Sequence, residues 1–244
     1  MLSVLHYEGR DEISFGITGK DYVLFASDMN AARSIVKMKA TEDKQKELGK
    51  HLVMAYSGEP GDTVQFAEYV ERNLRLYQIR NHIPLRPPSA ASWVRTQIAE
   101  SLRSRKPYSV NLLLGGFDPT SSTPSLYWID YLGTLGTVPY AAHGYGAYFA
   151  LSTMDRWHNP EGTLEEGLEL LRKCINELEV RFIVNFSGWT IRVADKDGVR
   201  RINLDGSLFD PASLDPASSV QPQAPAPAAG PGIVAAGAEV AAAA

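Results

Sequence analysis

The chain has 244 residues, 44% hydrophobic and 21% charged, an ordinary globular balance with enough apolar material for a substantial core. The formal charge of −4 belongs to one end: no Lys or Arg follows Arg201, whereas Asp205, Asp210, Asp215 and Glu239 do, so residues 1–204 balance at 24 acids against 24 bases and carry no electrostatic driver for non-specific nucleic-acid binding. No apolar run approaches the roughly 18 residues of a membrane span, and the start, "MLSVLHYEGRDE", lacks the basic region and apolar stretch of a secretory signal, which points to a soluble intracellular protein.

In chain order, residues 13–18 and 22–27 are apolar or alternating around "TGKD", a strand, turn, strand signal. "HLVMAYSG" is a further strand closed by Gly58. Asp62 then reads as a helix N-cap, with Gln65 completing a capping box and Phe66, Val70, Leu74 and Tyr77 on one face. A second helix after "PLRPPS" carries Val94, Ile98 and Leu102, and ends near Arg103, Arg105 and Lys106, where cations complement a helix C-terminus. "YSVNLLLGGFD" and "SLYWIDYLG" pair across "PTSSTP" as a hairpin. "HGYGAYFALSTMDRWH" is helical after its glycines. In "TLEEGLELLRKCINELEVRF" Thr163 caps, Glu166 closes the box, and Leu164, Leu168, Leu171, Ile175, Leu178 and Phe182 recur at a helical period. "WTIRVADKDGVRRINL" is a hairpin around Asp197-Gly198. From about Asp210 the chain is Ala, Pro, Gly and Ser, with six of the fifteen prolines in its last 35 residues. Such a segment cannot bury enough apolar area to offset its ordering entropy, so it reads as a disordered tail.

Strands segregated from paired helices, in the order β-αα-β-αα-β, predict an α+β protein in which two antiparallel sheets pack together under outer helix pairs, a four-layer α/β/β/α sandwich. The organisation expected is an N-terminal extension over 1–12, one domain over 13–204, and the tail over 205–244.

The familiar chemistries are absent from the sequence. Cys174 is the single cysteine, which excludes a disulfide framework and suits a small buried helical side chain. His6, His51, His82, His143 and His158 show no paired-ligand spacing, so no metal or cofactor is expected. "TGKD" has no earlier glycine at phosphate-loop spacing, Asp21 stands where that loop needs Ser or Thr, and "GYG" at Gly144–Gly146 is too short for a dinucleotide fingerprint. What remains is Asp28 at a strand end, Lys44 in "KATEDK" and Gly58 in "YSGEPGDT". Taken singly these read as a surface acid, a solvated lysine and a turn glycine.

Taken together the chain resembles the beta subunits of the 20S proteasome, members of the N-terminal nucleophile hydrolases. The likeness spans residues 13–204. It is carried by "GEPGDTVQFAEYVERNLRLY", "SLRSRKPY", "NLLLGGFD", "AAHGYGAYFALSTMD" and "DKDG", and is strongest toward the non-catalytic beta type-2 branch. The spacing of sixteen residues from Asp28 to Lys44 and fourteen from Lys44 to Gly58 matches the family without gaps. The resemblance implies an ancestral site in which a terminal threonine attacks the peptide, Lys stabilises its alkoxide, Asp positions Lys, and a Gly amide holds the oxyanion.

In this chain the threonine position is Glu12, preceded by Asp11 rather than the Gly of self-cleaving members. Tyr145 replaces a family Ser and Phe182 a family Asp, so Asp28, Lys44 and Gly58 are retained while three of six positions are lost. The resemblance therefore implies a non-catalytic building block of a seven-membered beta ring. Its partners would be other alpha and beta subunits in a four-ring particle of the cytoplasm and nucleus that degrades ubiquitin-tagged proteins, and no nucleic acid or membrane is expected. Asp28 reads as a structural remnant paired with Lys44. Aromatics in "NLRLYQIRN" and "LYWIDYLG" read either as interface anchors or as core. The competing expectation is a self-processed peptidase using Ser14 or Thr18.

Overall fold

The computed structural model describes residues 12–33 and 36–211. The expected N-terminal extension up to residue 11 and the tail from residue 212 lie outside the described residues.

The chain enters through two strands, β1 (Ser14–Thr18) and β2 (Tyr22–Asp28), joined by the tight Gly19–Asp21 turn. A short ribbon follows, β3 (Ala31–Arg33) and β4 (Val36–Lys39), and then the hairpin β5 (Gln45–Gly49) and β6 (Leu52–Gly58). Two helices come next, α1 (Pro60–Asn81) and α2 (Pro87–Ser101), before the meander β7 (Val110–Asp118), β8 (Thr123–Ile129) and β9 (Leu135–Thr137). Strand β10 (Tyr140–His143) leads into helices α3 (Gly146–Trp157) and α4 (Leu164–Arg181), and the hairpin β11 (Trp189–Asp195) and β12 (Gly198–Ile202) completes the fold.

The strands assemble into two five-stranded antiparallel sheets, in the orders β10-β1-β2-β11-β12 and β5-β6-β7-β8-β9. Strand alternation sorts their side chains into three cores. Phe15, Ile17, Leu24, Ile191 and Val193 point away from the other sheet, onto Leu168, Leu171, Cys174, Ile175 and Leu178 of α4 and Ala150 and Met154 of α3. Met54, Leu112, Leu114 and Ile129 do the same for the second sheet, onto Phe66, Val70 and Leu74 of α1 and Val94 and Ile98 of α2. Val23, Phe25, Val53, Ala55, Leu113 and Leu126 fill the layer between the sheets. This is the four-layer α/β/β/α sandwich.

Local signals explain most boundaries. Thr163 caps α4 by accepting a hydrogen bond from the Glu166 amide (3.4 Å), although the Glu166 carboxylate accepts from the Asn159 side-chain amide instead of closing the box. The expected Asp62 cap of α1 is corrected: the helix opens one turn earlier, with Pro60 in its first turn and Glu59 as a cap that makes no side-chain bond. Pro fits there because its missing N–H costs nothing at a helix start. The Asp62 carboxylate accepts instead from the Ser109 amide (3.0 Å), tying α1 to the entry of β7. Leu102, expected on the buried face of α2, lies past its end and is exposed.

The aromatics of the two segments divide. Tyr127 is core, Trp128 packs against the inter-sheet layer, and Tyr77 and Tyr131 are exposed. The chain does not leave the fold at residue 205. Leu208 bridges to Ile202, the Phe209 amide donates to the Arg201 carbonyl, and the Arg201 guanidinium lies over the Phe209 ring. Among the described residues, no helix is long and apolar enough to cross a membrane.

Candidate functional site

Asp28 closes β2 and is buried at the end of the first sheet. Its carboxylate is saturated: Oδ1 accepts the Ile13 amide (2.8 Å) and Oδ2 the Asn30 amide (3.0 Å). The Lys44 ammonium donates to both oxygens, at 3.0 and 2.9 Å. With side-chain exposures of 1% for Asp28 and 4% for Lys44, this is a buried ion pair whose partners depend on each other. Lys44 stands just ahead of β5, so the pair links the two sheets. The Tyr56 amide on β6 takes the Lys44 carbonyl (3.0 Å), which fixes the backbone from which the ammonium reaches across.

Glu12 stands beside this pair, two residues before β1. Its Oε1 lies 3.8 Å from the Lys44 ammonium, and its Oε2 accepts the Gly58 amide at 3.2 Å. Burial pushes the Glu12 carboxyl up from 4.5 to about 7; Lys44 opposes the shift, the neighbouring Asp28 carboxylate adds to it, and the Gly58 N–H opposes it. Gly58 is required by geometry: its φ is +141°, and a Cβ there would run into the Ser109 carbonyl. Strand alternation points the Gly58 amide away from β7, while the next amide, Glu59, donates to the Ser109 carbonyl (3.0 Å).

The structure thus gathers Glu12, Asp28, Lys44 and Gly58 at one point. Tyr145 and Phe182 stand together nearby. Tyr145 precedes α3 and Phe182 follows α4, with ring centroids 6.1 Å apart. Phe182 also packs on Phe149 (5.8 Å) and Phe186 (6.0 Å), and Phe186 on Trp189, which stacks on Phe15 (5.5 Å). The link to the charged cluster is Ile13, which lies between Glu12 and β1 and fills the space beside Gly146.

Ser14 and Thr18 are the first and last residues of β1, which pairs with β2 on one side and β10 on the other. Ser14 is aligned with Ser27 and with His143, and its hydroxyl is buried with no hydrogen-bond partner among the described residues. The Thr18 amide donates to the Pro139 carbonyl (2.8 Å). A chain start at either residue would remove the Ile13 amide from Asp28, and at Thr18 would take most of an inner strand out of its sheet.

A second polar network was not anticipated from the sequence. Arg192, on β11, reaches between the sheets to Asp43 (2.9 and 2.7 Å) and Glu47 (3.1 Å). Gln45 bonds Ser27 (3.0 Å) and the Thr190 carbonyl (2.9 Å). The carboxylates of Asp43 and Glu47 hold the Arg192 guanidinium charged against its burial. A lone Arg within "TIRVAD" was the available signal, since a cation on an otherwise apolar strand needs acidic partners. Asp43 is the residue before Lys44, so this network steadies the segment that presents Lys44. Among the described residues, no group of His, Cys, Asp and Glu is arranged to hold a metal.

Two antiparallel sheets between helix pairs, with a charged cluster at the end of the first sheet where the chain enters, are the sandwich of the N-terminal nucleophile hydrolases. Comparison with known proteins narrows the class. The model of the proteasome subunit family matches residues 12–195. A probable proteasome subunit beta type-4 of Neurospora crassa is 51% identical over 194 residues, which cover 80% of this chain and 96% of that protein. The proteasome subunit beta type-4 of Saccharomyces cerevisiae is 45% identical over 192 residues, 79% of this chain and 97% of that protein. The proteasome subunit beta type-2-B of Arabidopsis thaliana is 46% identical over 199 residues, 82% of this chain and 99% of that protein. The chain belongs to the proteasome subunit family and is of its beta type; relatives named type-4 and type-2 match it comparably.

Proposed function

We propose that this chain is a non-catalytic structural beta subunit of the 20S proteasome core particle, of the kind named type-2 in plants and type-4 in fungi. Its role is to fill one place in the beta ring beside other alpha and beta subunits, and so to support degradation of ubiquitin-tagged proteins in the cytoplasm and nucleus. The observation that carries the reading is Glu12. At the place where the resemblance puts an attacking threonine, this chain has a carboxylate that already occupies both the Lys44 ammonium and the Gly58 amide. A carboxylate facing an oxyanion donor has no hydroxyl to deliver, and no alkoxide develops for Lys44 to stabilise.

Tyr145 and Phe182 support the same reading, because two packed rings supply none of the hydrogen bonds of a Ser and an Asp. The peptidase alternative would lose the Ile13–Asp28 bond at either processed terminus, and with Thr18 as terminus would also remove most of β1. Intact-mass measurement on the assembled particle tests the proposal. The subunit is expected to retain Glu12 and to stay unlabelled by a reagent that traps a terminal hydroxyl; a mature chain starting at Ser14 or Thr18, or covalent labelling, would overturn it.

A further inference from the structure

We propose that the Lys44 ammonium and the Gly58 amide form a carboxylate-binding site, and that Glu12 is its built-in occupant, closing it to the terminal carboxylates of peptides. One Glu12 oxygen takes the Gly58 N–H (3.2 Å) and the other faces the Lys44 ammonium (3.8 Å). The amide hydrogen bond and the nearby ammonium charge both favour an anion at that place.

Both donors are fixed before any anion arrives. Asp28 holds Lys44 through both of its oxygens, with the ammonium 3.8 Å from Glu12. Gly58 ends β6 in register with Val110 of β7, with its amide on the side away from that strand and bonded to Glu12, and a Cβ there would meet the Ser109 carbonyl. A donor pair held rigid by other parts of the fold needs little reorganisation to bind. The site also faces outward through its occupant, since the Glu12 side chain keeps 21% of its surface exposed while the donors behind it are covered.

The ligand class follows from the geometry and the setting. A single carboxylate spans the two donors, and each hydrolysis in a protein-degrading particle leaves a new terminal carboxylate. A chain-borne carboxylate in that place keeps a rigid anion site from collecting such ends. The inference rests on the non-catalytic reading only in requiring that Glu12 persist in the mature chain.

The test uses assembled particles carrying Glu12→Ala, Glu12→Gln or the parental residue, with formate as the probe and chloride as the ionic-strength control. Intact mass on the same preparations establishes whether residue 12 is present. If it has been removed, the non-catalytic reading fails; if it is present, the formate data judge the carboxylate site alone. Formate at ten times its dissociation constant is expected to raise the folded-to-unfolded ratio of the Ala subunit about tenfold, seen as a higher thermal midpoint. The parental and Gln forms, whose side chains fill the site, should not respond. No response in the Ala form, or an equal response in all three, would overturn the proposal. Should the Ala form fail to assemble, deuterium exchange at the Gly58 amide of the parental particle decides: slow exchange unaffected by formate supports the built-in occupant, and rapid exchange, or exchange slowed by formate, refutes it.

Discussion

Replacing Glu12 with glutamine removes one titratable group while keeping its shape and its acceptor for the Gly58 amide. In the folded chain the Glu12 carboxyl holds its proton to about pH 7, against an ordinary value of 4.5. The raised value means that the folded state binds this proton more tightly than the unfolded state. Its contribution to stability is therefore complete below about pH 4.5, declines as pH rises, and is gone above about pH 7. The shift corresponds to about 3 kcal/mol, with partial access of water to the side chain placing the observable change nearer 2 kcal/mol. Other groups titrate across the same range, so the informative quantity is the difference in unfolding free energy between parent and Glu12→Gln, measured by denaturant titration at half-unit pH steps. The parent should lose stability relative to the Gln form by about 2 kcal/mol between pH 4.5 and 7.5. A flat difference would show that Glu12 ionises at its ordinary pH and that burial does not dominate its environment. A difference of opposite slope would show that Lys44, not burial, sets its charge.

Three other substitutions probe the same corner of the fold. Asp28→Ala or Lys44→Met alone strands a buried charge and should cost about 3–5 kcal/mol in a denaturant titration, whereas the double replacement should cost less than either single change; equal or additive losses would contradict the ion-pair assignment. Gly58→Ala forces a side chain onto the Ser109 carbonyl at a φ of +141° and should lower stability by about 2 kcal/mol or more, read from the yield and melting temperature of the assembled subunit. Phe182→Asp puts a carboxylate into a ring cluster and should destabilise without producing any peptide hydrolysis above that of the particle's other subunits, measured with short fluorogenic peptides. A gain of activity would refute the non-catalytic assignment.

The layered architecture was legible because its strongest signals are local and periodic. The α4 period of Leu164, Leu168, Leu171, Ile175 and Leu178, the Thr163 cap, and the turns at "TGKD" and "PTSSTP" each define an element without reference to the rest of the chain. Strands β3, β4, β9 and β10 were not resolved as separate elements, being three or four residues long and defined by their partners rather than by pattern. Asp62 misled because an acid near a helix start resembles a cap, and only the distant Ser109 amide reveals its other partner. The Asp28–Lys44 pairing was anticipated from spacing within a recognised family, while the Arg192 network, joining residues about 145 positions apart in sequence, had no local signature beyond an isolated cation.

The substitutions at Tyr145 and Phe182 make physical sense as a pair. The two positions flank α3 and α4 and meet in space, so a polar group at one would face whatever fills the other. A carboxylate at residue 182, a half-buried position beside the Tyr145 ring with Phe149 and Phe186 around it, would lose part of its hydration against aromatic carbon, at a cost of about 1–3 kcal/mol. Two aromatic rings in contact instead gain about 0.5–1.5 kcal/mol beyond their burial. Under the proposed non-catalytic role, with Glu12 on the Lys44 and Gly58 donors, no developing charge calls for a polar group at these positions. The corner is then free to be optimised for packing, and the row from Tyr145 through Phe182, Phe186 and Trp189 to Phe15 joins the ends of both outer helices to the inner strand where the chain enters. A carboxylate placed within that half-buried row loses ring packing and hydration, which is why Phe182→Asp is expected to be a stability defect without a gain of chemistry.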